Sequence, residues 1–430
     1  MRIRNHDALA TTPTREAALA VAESALEAID TGAAIRRAVA LEDDVLHACG
    51  MPLALAPAGR LRLVAVGKCA IAAAGALVDR LGDRLSDGIV LDVAAAGARL
   101  PPRVAVYAGT HPMPSAANVA STRAILEFLE DGRPDDLVLC VVSGGGSTLL
   151  CQPPGSGSCE AERSVVEALT RAGASIADLN TVRKHSSLAR GGRLAAVARP
   201  ARLLGLVFSD VPGGTLDLVA SGPTVLDPST VADATRVLAR HGLAAPGAPR
   251  LRLVETPKDP ELFRDVRNLV VVSNEVALEA MAAAAPRAGL QAQVRTATLA
   301  GEARDAAARV VQDLRAAPRG TALLYGGETT VTVRGAGRGG RNLELALAAL
   351  GGVADDELVL TLATDGRDNG DLAGAIADAA TRRDARRRAA DPATYLAAND
   401  SFGFFSRVPH ALDTGPTGAN VADLVVAIRS

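Results

Sequence analysis

The sequence predicts an α/β protein of two domains, each built on a mostly parallel sheet, and three observations carry that reading. Its 430 residues exceed what one hydrophobic core usually serves. Short apolar runs at 61–66, 104–108, 137–142, 203–208, 269–272, 322–325 and 358–362 mostly end in Gly, Ser, Asn or Asp, often with a helical pattern following. That is the form taken by βα units with buried parallel strands. Residues 242–260 hold Pro246, Pro249, Pro257 and Pro260 with few periodic apolar positions. Such a stretch reads as a linker and sets the expected domains at 1–245 and 246–430.

Taken in order, residues 14–50 carry apolar positions at helical spacing among alanine-rich helix formers, so one or two amphipathic helices precede the first strand. The apolar runs then alternate with helical segments, which gives Rossmann-like sheets. The T-T-V-T-V-R stretch at 329–334 alternates polar with β-branched residues and is expected as an additional antiparallel or edge strand of the second domain. Motifs on both sides of the linker are expected to share an active-site cleft between the domains.

Composition narrows the function. Hydrophobic residues make up 48% of the chain but aromatics only 2%, with no Trp, so the core must be built from Ala, Val and Leu. The 46 basic residues nearly balance 48 acidic ones without a dominant run of either sign, which excludes the footprint of a general nucleic-acid binder. Five cysteines, an odd number spread through apolar or glycine-rich segments, argue against a disulfide framework and for a reducing compartment. The first twenty residues lack an apolar signal core, and no stretch reaches about 18 uncharged apolar residues. A cytoplasmic protein, neither exported nor membrane-spanning, is expected. Only three of the basic residues are lysines, Lys68, Lys184 and Lys258, and a lysine that survives in so arginine-rich a chain invites a reason.

Two glycine-rich loops stand out. The run 137–142 leads into Ser143, Gly144, Gly145, Gly146 and Ser147, where backbone amides can converge on a phosphate or carboxylate; a tight strand exit is the equal alternative. The second loop, 335–340, contains Gly337, Gly339 and Gly340 and opens a helix at Arg341. It matches G-x-G-x-x-G formally, but the preceding segment is polar on alternate positions, unlike the buried strand that the dinucleotide fingerprint requires. An anion loop at a helix start, with Arg341 as a clamp and Glu328 nearby, is the reading that survives. Asp210, Asp365 and Asp368 lie in loops that follow apolar runs, as metal ligands or bases for an attacking hydroxyl or simply as turn and cap residues. Lys68 sits at a strand-to-helix turn and is a candidate charge stabiliser, without the Walker pattern. His111 and His185 complete the polar positions, and no two histidines have metal-ligand spacing.

In order, V-G-K-C-A at 66–70, G-T-H-P-M-P at 109–114, V-S-G-G-G-S-T-L-L at 142–150, N-T-V-R-K-H-S-S at 180–187, S-D-V-P-G at 209–213, A-S-G-P-T-V-L-D-P-S-T at 220–230, Y-G-G-E-T-T-V at 325–331, G-G-R-N-L-E-L-A-L at 339–347, A-T-D-G at 363–366 and D-T-G-P-T-G-A-N-V at 413–421 resemble the type II glycerate kinase family, whose second half is the MOFRL domain. The resemblance spans nearly the whole chain. It implies ATP and Mg²⁺, with glycerate phosphorylated at its 2-hydroxyl. It further implies Lys68, Arg341 and Asp365 as catalytic residues and the two glycine loops as nucleotide- or phosphate-binding. His111, Lys184, His185, Asp210 and Glu328 would bind substrate, and Asp210, Asp365 and Asp368 the metal. Partners are then a small hydroxy acid and a nucleotide, with no nucleic acid or membrane, and a homo-oligomer stays open.

Four positions depart from the family pattern: Gly214 and Ser115 each replace an aspartate, Arg190 a lysine and Asn369 a glycine. Losing two carboxylates points to a change of metal or acceptor, so a kinase for another polyol acid or specialised metabolite is the alternative. A hydroxypyruvate reductase, a label some members carry, or a non-catalytic ligand-binding relative are the further readings.

Overall fold

The computed structural model describes residues 1–430 apart from Ala95, Ala96, Pro212, Gly214 and Pro246. The chain divides into two compact units. A central unit comprises Ala34–Ser209 and Gly214–Val271; a C-terminal unit comprises Val272–Ser430 together with Met1–Ala33 and Asp210–Gly213.

In the central unit β1 (Val39–Glu42), β2 (Val45–Ala48) and β3 (Met51–Ala54) form a small antiparallel meander. The main sheet uses β4 (Leu61–Val66), β5 (Leu85–Asp92), β6 (Val104–Ala108), β7 (Leu137–Ser143), β8 (Arg202–Phe208) and β9 (Val266–Val272) in the order β6-β5-β4-β7-β8-β9. The pairs from β6 through β8 are all parallel. Every residue of β4 and β7 is buried, as expected for strands covered on both faces. With the first strand of the sheet in the middle, the order reverses between β4 and β7, and ligands bind outside the carboxyl ends of strands at such a switch point.

The C-terminal unit carries β10 (Gln291–Leu299), β11 (Thr321–Gly327), β12 (Glu357–Ala363), β13 (Gly374–Asp378), β14 (Ala411–Leu412) and β15 (Asp423–Arg429) in the order β10-β11-β15-β12-β13-β14. Only β10 and β11 pair in parallel; β15 runs antiparallel to both β11 and β12, and β13 and β14 are antiparallel too. The helices Ala303–Ala316 and Arg341–Leu350 pack together, and Ala303, Ala306, Ala307, Ala346 and Ala349 are buried in the core they share, which has few rings.

The α/β class holds, with three corrections. Residues 329–334 are not a strand: apart from one bridge between Glu302 and Thr330, Thr332 N donates to Glu302 Oε2 and Arg334 N to Asn399 Oδ1, so side chains take the bonds a ladder would use. The antiparallel strands are instead β13, β14 and β15. The stretch 242–260 is no linker between domains. Val254 N donates to His185 O, Arg193 Nη2 to Glu255 O and Thr256 Oγ1 to Asp227 Oδ2, which binds its second half into the central unit. The expected boundary near Ala245 gives way to crossings around Ala33, Ser209 to Gly214 and Val271. The first 33 residues go with the C-terminal unit because helix Pro13–Ile29 packs on helix Asn274–Ala284 and on β15. Within it Arg15, fully buried, forks onto Asp378 at 2.6 and 2.7 Å.

Candidate active site

The switch point of the central unit gathers the β4 and β7 loops. Gly67 adopts φ +125°, and a side chain there would collide with Ser143; Ser143 Oγ donates to Val66 O at 3.3 Å and Lys68 N to Gly144 O at 3.0 Å. Gly145 takes the left-handed conformation that favours glycine (φ +87°). A Cβ there would lie 3.1 and 3.3 Å from Lys68 Cγ and Cε and 3.5 Å from His111 Cδ2, so both side chains flank this turn. Burial lowers the His111 imidazole below its ordinary value, and the charges of Lys68 and Arg183 lower it further; it stands neutral at pH 7. The other serine of the loop, Ser147, is held in a chain: Ser221 Oγ lies 2.9 Å from Ser147 Oγ and 2.6 Å from Asn180 Oδ1.

The three lysines separate by partner. Lys184 is buried and bridges Asp217 at 2.7 Å and Asp227 at 3.3 Å. Lys258 lies 3.5 Å from Glu255 and 3.8 Å from Asp227. Lys68 is exposed and makes no ion pair among the described residues. Lys184 and His185, expected to bind substrate, are both buried and engaged within the central unit, His185 bonding Thr181 O at 2.9 Å and Glu255 at 3.2 Å. The residue that sequence reasoning passed over is their neighbour Arg183, whose charge reaches His111.

In the C-terminal unit the direction of β15 assembles the site. Asp423, its first residue, stands opposite Gly327 at the end of β11 and Ala363 at the end of β12, so the loops carrying Glu328 and Asp365 leave the same sheet edge. Arg341 opens the helix Arg341–Leu350 and places Nε 2.5 Å and Nη2 3.3 Å from the two oxygens of Asp423, with Nη1 2.6 Å from Glu328 Oε1. Burial raises Asp423 to about 6 even though Arg341 pulls it down; the nearby charge of Asp368 adds to the rise. Burial pulls the Arg341 guanidinium down, but its bonds to Asp423 and the charge of Glu328 outweigh that and raise it. Asp423 was not among the expected residues; a lone aspartate before an apolar strand gives no signal of the arginine 82 positions earlier.

Asp368, expected as a metal ligand, has its carboxylate turned to the start of the helix Arg341–Leu350. Its carboxylate accepts from Asn342 N at 3.0 Å, Leu343 N at 2.7 Å and Asn342 Nδ2 at 3.3 Å, capping the helix that presents Arg341; burial raises its pKa. Asp365 is half-buried, and its Oδ1 accepts from Arg367 N at 2.9 Å. Asp210 is half-buried just beyond β8. No group of three His, Cys, Asp or Glu that could hold a metal ion occurs among the described residues.

The second glycine loop is held against the segment 398–401. Gly335 N donates to Asn399 Oδ1, Gly337 N to Ala398 O and Arg338 N to Asp400 Oδ1. Side chains at Gly335, Gly337 and Gly339 would strike Ala398, Asp400 and Ser401, so these glycines allow close backbone approach to 398–401. The loop forms one wall of a cavity of ≈ 860 Å³ whose lining includes Glu328, Thr330, Arg338, Gly340 and Arg341. Because 335–340 neither follows a strand nor keeps all its amides for a ligand, the dinucleotide fingerprint fails here.

Of the departures from the family pattern, Gly214 lies outside the described residues. Ser115 caps helix Ala116–Glu130 in a reciprocal box with Asn118, a post that Asp and Ser fill about equally well. Asn369 sits at φ +57° and donates through Nδ2 to Gly339 O at 2.8 Å; asparagine is the side chain that best replaces glycine in this conformation. Arg190, fully buried, pairs with Glu162 at 2.8 Å.

A doubly wound unit with a lysine at its switch point and a mixed-sheet unit presenting an arginine between two carboxylates define a two-part α/β enzyme architecture. Comparison with known proteins matches residues 17–253 to a domain of unknown function, DUF4147, and 321–423 to the MOFRL family. Glycerate 2-kinase of Pyrococcus horikoshii is 35% identical over 96% of this chain and 97% of its own length, and D-glycerate 2-kinase of Thermotoga maritima 38% identical over 86% and 90%. A putative hydroxypyruvate reductase of Agrobacterium vitis is 38% identical over 86% and 87%. The crystal structure of glycerate kinase from T. maritima superposes with a TM-score of 0.85 at 31% identity, covering 96% of this chain and 99% of that one. The chain belongs to the type II glycerate kinase family.

Proposed function

We propose that this protein is an ATP-dependent kinase that phosphorylates the hydroxyl of a small hydroxy acid, with glycerate, at its 2-hydroxyl, the first candidate. The observation that carries the reading is Lys68: at the switch point of a doubly wound sheet, beside a left-handed glycine turn, it alone of three lysines is left without a carboxylate among the described residues. Phosphoryl transfer asks for little covalent chemistry, so the protein acts by positioning and by charges held against the transferred oxygens. Lys68 supplies a mobile charge at the 143–147 loop, where the first helical amides lack intrahelical acceptors. Within the C-terminal unit Arg341 is an oriented charge, its plane fixed by Asp423 and Glu328. Asp365, next to the same sheet edge, is the carboxylate left to orient the attacking hydroxyl.

Mg²⁺ typically keeps several waters and binds through one or two carboxylates plus substrate phosphates. Asp365 fits that demand, whereas both oxygens of Asp368 are committed to amides. Bound there, the ion would neutralise phosphate charge. The glycine loop at 335–340, with the amides of Gly335, Gly337 and Arg338 engaged within the protein, does not support the reductase reading.

Mass spectrometry of products from ATP and a panel of hydroxy acids tests the activity. Lys68→Ala should lower turnover by roughly two orders of magnitude with an unchanged melting temperature. Turnover within a few-fold of the parent would remove Lys68 from the mechanism.

A further inference from the structure

We propose that Arg183 recognises the carboxylate of the acceptor, next to His111 and the Gly145 turn that Lys68 also flanks. This rests on the hydroxy-acid kinase reading and deepens it. Arg183 lies on helix Ile176–Ser186 three residues after Asn180, so the two share a face. Asn180 is joined through Ser221 to Ser147, which turns that face toward the 143–147 loop.

Arg183 is poorly satisfied within the protein. Its Nε is buried without a hydrogen-bond partner, and it makes no ion pair among the described residues. The carboxylate within electrostatic reach, Glu162, is taken by Arg190 at 2.8 Å and by Cys151 Sγ at 3.4 Å. Its neighbours differ, since Lys184 and His185 both have carboxylate partners. A half-buried guanidinium whose buried Nε has an unmet donor carries a desolvation cost, and a planar carboxylate relieves it through paired N–H···O bonds that an ammonium cannot reproduce.

Lys68 and Arg183 are thus two cations without an ion pair among the described residues, and both disfavour the His111 imidazole as a third cation. That set fits one small anion bearing a hydroxyl. The carboxylate goes to Arg183, the neutral His111 is free to accept from or donate to a hydroxyl, and Lys68 remains for the phosphoryl oxygens.

Initial rates of the full chain with ATP and D-glycerate, each varied in turn, test this. Arg183→Gln should raise the KM for D-glycerate roughly 10- to 100-fold, the range expected for hydrogen bonds to a charged group, and leave the KM for ATP unchanged. Arg183→Lys should recover only part of the loss, and decides alone if the Gln variant does not fold. An unchanged glycerate KM, or a rise confined to the ATP KM, would mean that the guanidinium serves the scaffold or the nucleotide and overturns the assignment while the kinase reading stands. A parent protein that phosphorylates no hydroxy acid overturns both.

Discussion

Replacing Arg341 by alanine should destabilise the protein by an amount that depends on pH in a calculable way. Asp423 is about nine-tenths buried and is held at about 6 against an ordinary 3.8. A carboxylate whose folded value is raised stabilises the folded state at low pH, and that stability is lost as pH climbs from the unfolded value to the folded one. In the parent the loss runs from 3.8 to about 6 and then stops, because Arg341 makes the ionised form tolerable. Without the guanidinium, Asp423 takes up a proton and keeps it well above 6, so the loss continues. Each further pH unit adds about 1.4 kcal/mol, giving an excess destabilisation of about 1 kcal/mol at pH 7 and about 3 kcal/mol at pH 8, and almost none at pH 6. These figures are ceilings on the electrostatic part, since the buried acid escapes the larger cost of an unpaired charge by neutralising. Urea titrations of the parent, Arg341→Ala and Arg341→Ala/Asp423→Asn across pH 6–8 measure it, and the double variant should show no such slope. A pH-independent difference between the parent and Arg341→Ala would show that the pair does not hold Asp423 ionised, and the account of how Arg341 is oriented would fall with it.

Asp368→Ala removes three accepted hydrogen bonds and leaves buried first-turn amides of the Arg341 helix without an acceptor, so it should cost about 2–4 kcal/mol in urea unfolding, with Asp368→Asn between it and the parent. Unchanged stability with an altered Mg²⁺ requirement would restore Asp368 as a ligand. Asn369→Gly should leave stability within about 0.5 kcal/mol, whereas Asn369→Ala should cost about 1 kcal/mol because it keeps a side chain at positive φ and loses the bond to Gly339; equal melting temperatures for the two would refute that explanation.

How the fold was legible follows from what burial does to sequence. β4, β7, β8 and β12 are almost wholly buried and announce themselves as unbroken apolar runs. β10 reads Q-A-Q-V-R-T-A-T-L and is largely exposed or half-exposed, so nothing apolar marked it. β5 begins L-S-D-G before its apolar half. β15 was not anticipated as a strand although D-L-V-V-A-I-R is apolar and buried over nearly its whole length, and burial on both faces would in any case erase the alternation that usually betrays an antiparallel strand. The alternation in 329–334 had another cause, since Thr330 and Thr332 turn their hydroxyls to Glu302. The sequence period was real, but its bonding partner was a side chain.

At the site, residue type was legible and partnership was not. The scarcity of lysine singled out Lys68 and Lys184 alike, yet only contacts between distant segments show that Asp217 and Asp227 occupy the second. Arg183 and Lys184 are successive residues of one helix and so face about 100° apart; a motif that contains both cannot say which one looks onto the glycine turn. The same limit applies to the departures from the family pattern, which first suggested a changed metal or acceptor. Ser115 turns out to fill a helix cap and Asn369 a left-handed turn. Both jobs concern the backbone, and each incoming residue is the next-best chemistry for that job. Neither position brings a new charge, and the helix-cap role of Ser115 gives no ground for a different acceptor; Asn369, however, also lines the cavity with Glu328 and Arg341, where its amide can meet a ligand.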